Sequence, residues 1–181
     1  MGVMQSIGHL SEDTMSWLRA LLGGIWPVEP EKSQSYTIRL GKAVPTDAVF
    51  EAWTSGDLGK MLEVTSVDTN PTDRHFLLQS IVSLSYKHRT EAKYRRICIE
   101  YAEMHIAEFP VLASALKADL DGVLPRVTTF QHYATVLTEN GEFNKAIYVC
   151  ETALKWGLKD GTQSGFQGRI ARIRKKAAKG T

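Results

Sequence analysis

The chain has 181 residues, 43% of them hydrophobic and 23% charged, with a net charge of +2, which is the profile of one globular domain, or one with an arm, and excludes disorder throughout. No apolar run approaches the roughly 20 residues of a membrane-spanning helix, and the start lacks the basic and apolar stretches of a signal peptide. Cys98 and Cys150 make neither a CxxC pair nor a disulfide framework, so a cytoplasmic, reducing setting is expected.

In chain order, MGVMQS matches the N-myristoylation pattern at Gly2, but no polybasic cluster follows to supply a second membrane signal. Ser11 then opens an amphipathic helix whose Trp17, Leu18, Leu21 and Leu22 share a face, and Gly23-Gly24 ends it. That face needs a partner, either the rest of the domain or a second copy in a homodimer. Pro27 and Pro30 break the chain into a connector. The alternation in SYTIRL reads as a strand or extended arm, so residues 1–45 are expected to form an N-terminal helix and partly extended arm ahead of a helical domain, 46–181.

From Pro45 only helices are expected. Thr46 or Asp47 caps a short one through Val49, Phe50 and Trp53, and Asp57 caps another through Leu58, Met61 and Leu62. Asn70-Pro71-Thr72-Asp73 starts a third, lined by Leu77, Leu78, Ile81, Val82 and Leu84 and reaching about Lys87. Thr90 opens a fourth, in which Ile97, Cys98, Tyr101, Ala102, His105, Ile106 and Phe109 repeat at three- and four-residue steps. Pro110 reads as the first residue of a further helix, ended by Gly122 and Pro125.

Two more helices follow from Pro125. Phe130, Tyr133, Ala134 and Leu137 form one face; Gly141 turns the chain; Phe143, Ala146, Cys150, Ala153 and Leu154 form the return face. Small residues at Ala134, Ala146 and Ala153 let two antiparallel backbones approach, where bulkier ones would separate them. Counted from Val127, the aromatic at Phe130, the alanine at Ala134, the turn glycine Gly141, Phe143, Ala146, Cys150 and Ala153 resemble the 34-residue tetratricopeptide repeat. Tyr133, Leu137 and Leu158 depart from its leucine, tyrosine and proline. The resemblance covers residues 127–160, with a degenerate unit expected over about 72–108 and a capping helix over about 162–179, begun by Thr162 and carrying Phe166, Ile170, Ile173 and Ala177 inward.

The resemblance implies an all-α protein of stacked antiparallel helical hairpins, a short superhelix whose concave face binds a protein or peptide. Its groove positions would be Thr128, Gln131, His132, Thr135, Thr138 and Glu139. Independently of it, Arg74, Tyr86, Lys87, His88 and Arg89 bracket one helix with cationic and aromatic groups that can hold a carboxylate or phosphate, or else merely complement a helix C-terminus. Residues 160–181 carry six Lys and Arg against Asp160 alone. Arg169, Arg172, Lys175, Lys176 and Lys179 form a basic patch that can follow a nucleic-acid backbone, although no aromatic residues are interleaved for base stacking. His9, His75, His88, His105 and His132 make no metal-binding pair, and there is no phosphate loop or nucleophile elbow, so neither catalysis nor a metal or cofactor is expected. His105 lies on a buried helix face, as a core histidine does. The expectation is a non-catalytic adaptor or scaffold; the alternative is a nucleic-acid-binding accessory protein that uses its C-terminal helix.

Overall fold

The computed structural model of the chain describes residues 34–39 and 41–179. The expectations for Gly2, the Trp17 helix and the proline connector lie outside those residues. Among the described residues the protein is helical apart from one small two-stranded sheet, and those from Ser35 onward form one compact unit.

That sheet is a hairpin of β1 (Tyr36–Arg39) and β2 (Lys42–Pro45), paired antiparallel with Tyr36 opposite Pro45 and Arg39 opposite Lys42. Gly41 takes φ +77 in the turn, a backbone that glycine adopts without steric cost. Arg39 joins the hairpin to the helices. It pairs with the buried carboxylate of Asp73, which also accepts from Trp53 Nε1 at 2.9 Å and Asn70 Nδ2 at 2.5 Å.

Two short helices follow, α1 (Ala48–Ser55) and α2 (Leu58–Glu63), each opened by an aspartate. Asp47 accepts from the Phe50 amide and Asp57 from the Lys60 amide. Asn70 caps α3 (Pro71–Lys87) in the same way, with Pro71 in the first position, where its missing N–H costs nothing.

α3 turns directly into α4 (Ala92–Asp119). Arg74 near the start of α3 meets Glu108 late in α4, so the two helices run antiparallel. The expected start at Thr90 moves to Ala92, and the expected break before Pro110 does not occur: Pro110 lies inside one 28-residue helix. An interior proline costs about 3 kcal/mol because it withholds an amide and crowds the preceding turn. Here the face on both sides of it is buried, through Cys98, Ala102 and Phe109 before and Leu112, Ala113 and Leu116 after. That continuous burial offsets the cost.

The second pair is α5 (Thr129–Glu139) and α6 (Phe143–Lys155), turned at Gly141 with φ +81. Phe130, Ala134, Ala146, Cys150 and Ala153 are fully buried, as two closely approaching backbones require. α5 begins four residues later than expected, because the Thr128 amide donates to Gln79 Oε1 on α3 at 2.8 Å and not to a helical turn. α7 (Gly165–Ala177) packs on α6 with Phe166, Ile170 and Ile173 buried. It starts after Thr162, whose amide and hydroxyl both donate to Asp160 Oδ1 and hold a turn there. No helix among the described residues is long and apolar enough to cross a membrane.

Candidate functional site

The expected groove positions lie along α5, flanked by α3 on one side and α7 on the other. Helical spacing puts Thr128, His132, Thr135 and Glu139 on one stripe. The same spacing puts Gln79, Ser83 and Tyr86 on the facing side of α3. The two stripes meet rung by rung. Gln79 accepts from the Thr128 amide, and the hydroxyls of Ser83 and Thr128 are 3.1 Å apart. Tyr86 and His132 stack with ring centroids 4.1 Å apart and planes 13° from parallel. Arg89 lies 4.1 Å from the centre of the Tyr86 ring and pairs with Glu139 at 3.0 Å, while Arg95 binds the second Glu139 oxygen at 2.9 Å.

On the α7 side, Arg169 donates to Thr135 Oγ1 at 3.0 Å and to Asp160 Oδ2 at 3.3 Å. Lys176 reaches the Thr138 carbonyl at 3.4 Å. Between these walls Thr135 and Thr138 turn their hydroxyls back to the carbonyls of Gln131 and Ala134. Two polar atoms of α5 are unsatisfied: Gln131 Oε1 and His132 Nδ1 are buried and without a hydrogen-bond partner among the described residues. Burial pushes His132 down to about 4, aided by the positive charges of Arg169, Arg89 and Arg126. The ring is therefore neutral at pH 7, with an unpaired nitrogen in the field of three guanidinium groups.

The structure divides the other sequence candidates. Tyr86 and Arg89 belong to the face just described, and Lys87 and His88 are exposed at the end of α3. Arg74 is elsewhere. It makes a bidentate pair with Glu108, at 2.8 and 2.7 Å, and donates to the Thr65 carbonyl at 2.6 Å, fastening α3 to α4 and to the loop before it. In the basic patch Arg169 is half-buried in its Asp160 and Thr135 contacts, whereas Arg172, Lys175, Lys176 and Lys179 are exposed.

Sequence reasoning passed over Gln79 and Ser83, which carry no signal beyond polarity on a helix, and Arg126, which lies in a loop. It also passed over the inner polar seam. His75 and His105, both fully buried, are joined Nδ1 to Nε2 at 2.9 Å, and His105 Nδ1 meets Thr129 Oγ1 at 2.7 Å. Burial lowers His75 to about 4 and holds His105 well below its ordinary value. The thiols of Cys98 and Cys150, both buried, are pushed up to about 11, far from the reactive thiolate range. Among the described residues no group of three or more His, Cys, Asp or Glu could hold a metal ion.

Compared with known proteins, the chain matches no family model, no curated protein and no solved structure.

Proposed function

We propose that this protein is a non-catalytic adaptor whose two helical pairs and α7 stack in the manner of a short tetratricopeptide array, holding an acidic segment of another protein along α5. The observation that carries the reading is the pair of buried, unpartnered atoms, Gln131 Oε1 and His132 Nδ1. A buried polar atom left unpaired costs free energy, about 1–3 kcal/mol each, which a bound peptide backbone would recover by drawing these two side chains outward. The charge around them selects the partner. Glu139 is already neutralised by Arg89 and Arg95, and Asp160 by Arg169. Arg172 and Lys176 are left over, and they favour carboxylates on the incoming segment.

The test is a selection of peptides on the full chain by phage display, followed by affinities for wild type, His132→Ala and the double change Arg172→Gln/Lys176→Gln. Peptides enriched in Asp and Glu that lose about tenfold or more on both variants support the reading. Selected peptides without acidic bias, or with equal affinity for all three proteins, refute it.

A second reading rests on the exposed cations of α7, a helix with no acidic residue, which suit a nucleic-acid backbone. Binding of single-stranded RNA that falls steeply with salt and vanishes when residues 162–181 are removed would favour it over the adaptor.

A further inference from the structure

A cleft of about 640 Å³ lies between the loop that leaves α4 and the loop that joins α6 to α7. The first loop passes Asp121 and Gly122, at φ +51 and +83, and the second passes Gly157 and Gly161, at φ +68 and +78, so both walls are shaped by left-handed backbone. Leu124, Trp156 and Leu158 give the cleft an apolar interior. The Trp156 ring is backed by the core, edge-on to Phe109 with centroids 5.4 Å apart. Arg126 lies across the glycine of the opposite loop: a Cβ on Gly161 would stand 2.7 Å from its Nη2.

Charge is what distinguishes this cleft. Of its twelve lining residues, Lys117, Arg126 and Lys159 are cationic and none is acidic. Arg39, Arg74, Arg89, Arg95, Lys145 and Arg169 each have a carboxylate partner, whereas other cations, Arg172 and Lys176 among them, have none among the described residues. The three cations of the cleft have no ion pair among the described residues. Of the acids near the lining in sequence, Asp160 is buried and turned to Thr162 and Arg169, Asp119 accepts from Thr72, and the exposed Asp121 lies outside the lining.

We propose that this cleft binds a small anionic amphiphile, its apolar body against Leu124, Trp156 and Leu158 and its head group among Lys117, Arg126 and Lys159. The volume lies within the range of small-molecule sites, and unopposed cations at the rim of an apolar cavity complement a single anionic head. Arg126 is shared with the surroundings of His132, but neither Gln131 nor His132 lines the cleft, and a variant changed only at Lys117 and Lys159 leaves Arg126 in place, so this proposal fails or stands separately from the adaptor reading.

The test is calorimetric titration of the full chain, below micelle-forming concentrations, with hexanoate, octanoate, decanoate, decyl phosphate and decyltrimethylammonium. Expected are one saturating site, binding that tightens by up to about fourfold per added methylene, and at least about a tenfold preference for decanoate or decyl phosphate over the cation. The relative strength of the two anions identifies a carboxylate or a phosphate head. Lys117→Gln/Lys159→Gln changes only exposed side chains and should weaken decanoate by about fivefold or more, with the melting temperature unchanged. A lack of saturation by about 1 mM, equal binding of the cation, or equal affinity of the lysine variant would each overturn the proposal.

Discussion

Two polar seams join the helical pairs, and they differ in how completely they are closed. The inner one runs from His75 through His105 to Thr129, entirely buried, and engages three of the four ring nitrogens, His75 Nε2 being the exception. The outer one runs along α3 and α5 through Gln79, Tyr86 and Arg89, on half-buried side chains, and leaves Gln131 Oε1 and His132 Nδ1 open. Both place neutral histidines between helices. They differ in depth: the inner joint is sealed with one nitrogen to spare, and the outer one, with two atoms to spare, lies on half-buried side chains.

The largest separation between them is expected on truncation. His105→Ala removes two buried bonds and leaves a void, at a cost of about 3–4 kcal/mol in urea unfolding, whereas His132→Ala loses a half-exposed stack and costs about 1 kcal/mol. Equal costs would break the comparison.

Acid sharpens it. A histidine held down to about 4 in the fold and near 6.5 when unfolded takes up its proton on unfolding. Stability therefore falls as pH drops below about 6.5 and levels off below about 4, at about 1.4 kcal/mol per pH unit for each such group. Urea midpoints at pH 7, 5.5 and 4.5 should show this slope, and His75→Gln should flatten it; an unchanged slope would remove His75 from the account.

A smaller effect belongs to the turn between α5 and α6. Gly141→Ala forces a side chain into φ +81, although nothing lies within 4 Å of the added Cβ. The cost should be purely conformational, about 1 kcal/mol, and readable as a shift in melting temperature. The smallest is Lys87→Gln, an exposed change at the end of α3 that should move stability by no more than about 0.5 kcal/mol.

Much of the helical body was legible because its faces repeat at the helical period. Leu77, Leu78, Ile81 and Val82 announce α3, and the small residues around Gly141 announce α5 and α6. β2 was not legible, since Ala43-Val44-Pro45 has no alternation and ends in a residue that weakens strands. Pro110 misled because proline is read locally, whereas its tolerance depends on the buried face that continues to Leu116. The outer seam was half visible: polarity at Gln131, His132 and Thr135 marked the face. Its partners Gln79 and Ser83 depend on pairings between helices, which a one-dimensional pattern does not encode.

The Arg89–Glu139 pair closes a separation of 50 residues, the widest among the side-chain hydrogen bonds described. Every other one joins residues nearer in sequence, so each element finds its partner among segments already made. A chain of this kind has a low contact order and pays little loop-closure entropy before its contacts form. Folding of the described part is thus expected to be fast, and on the ribosome it can proceed pair by pair, with α7 closing last over α6.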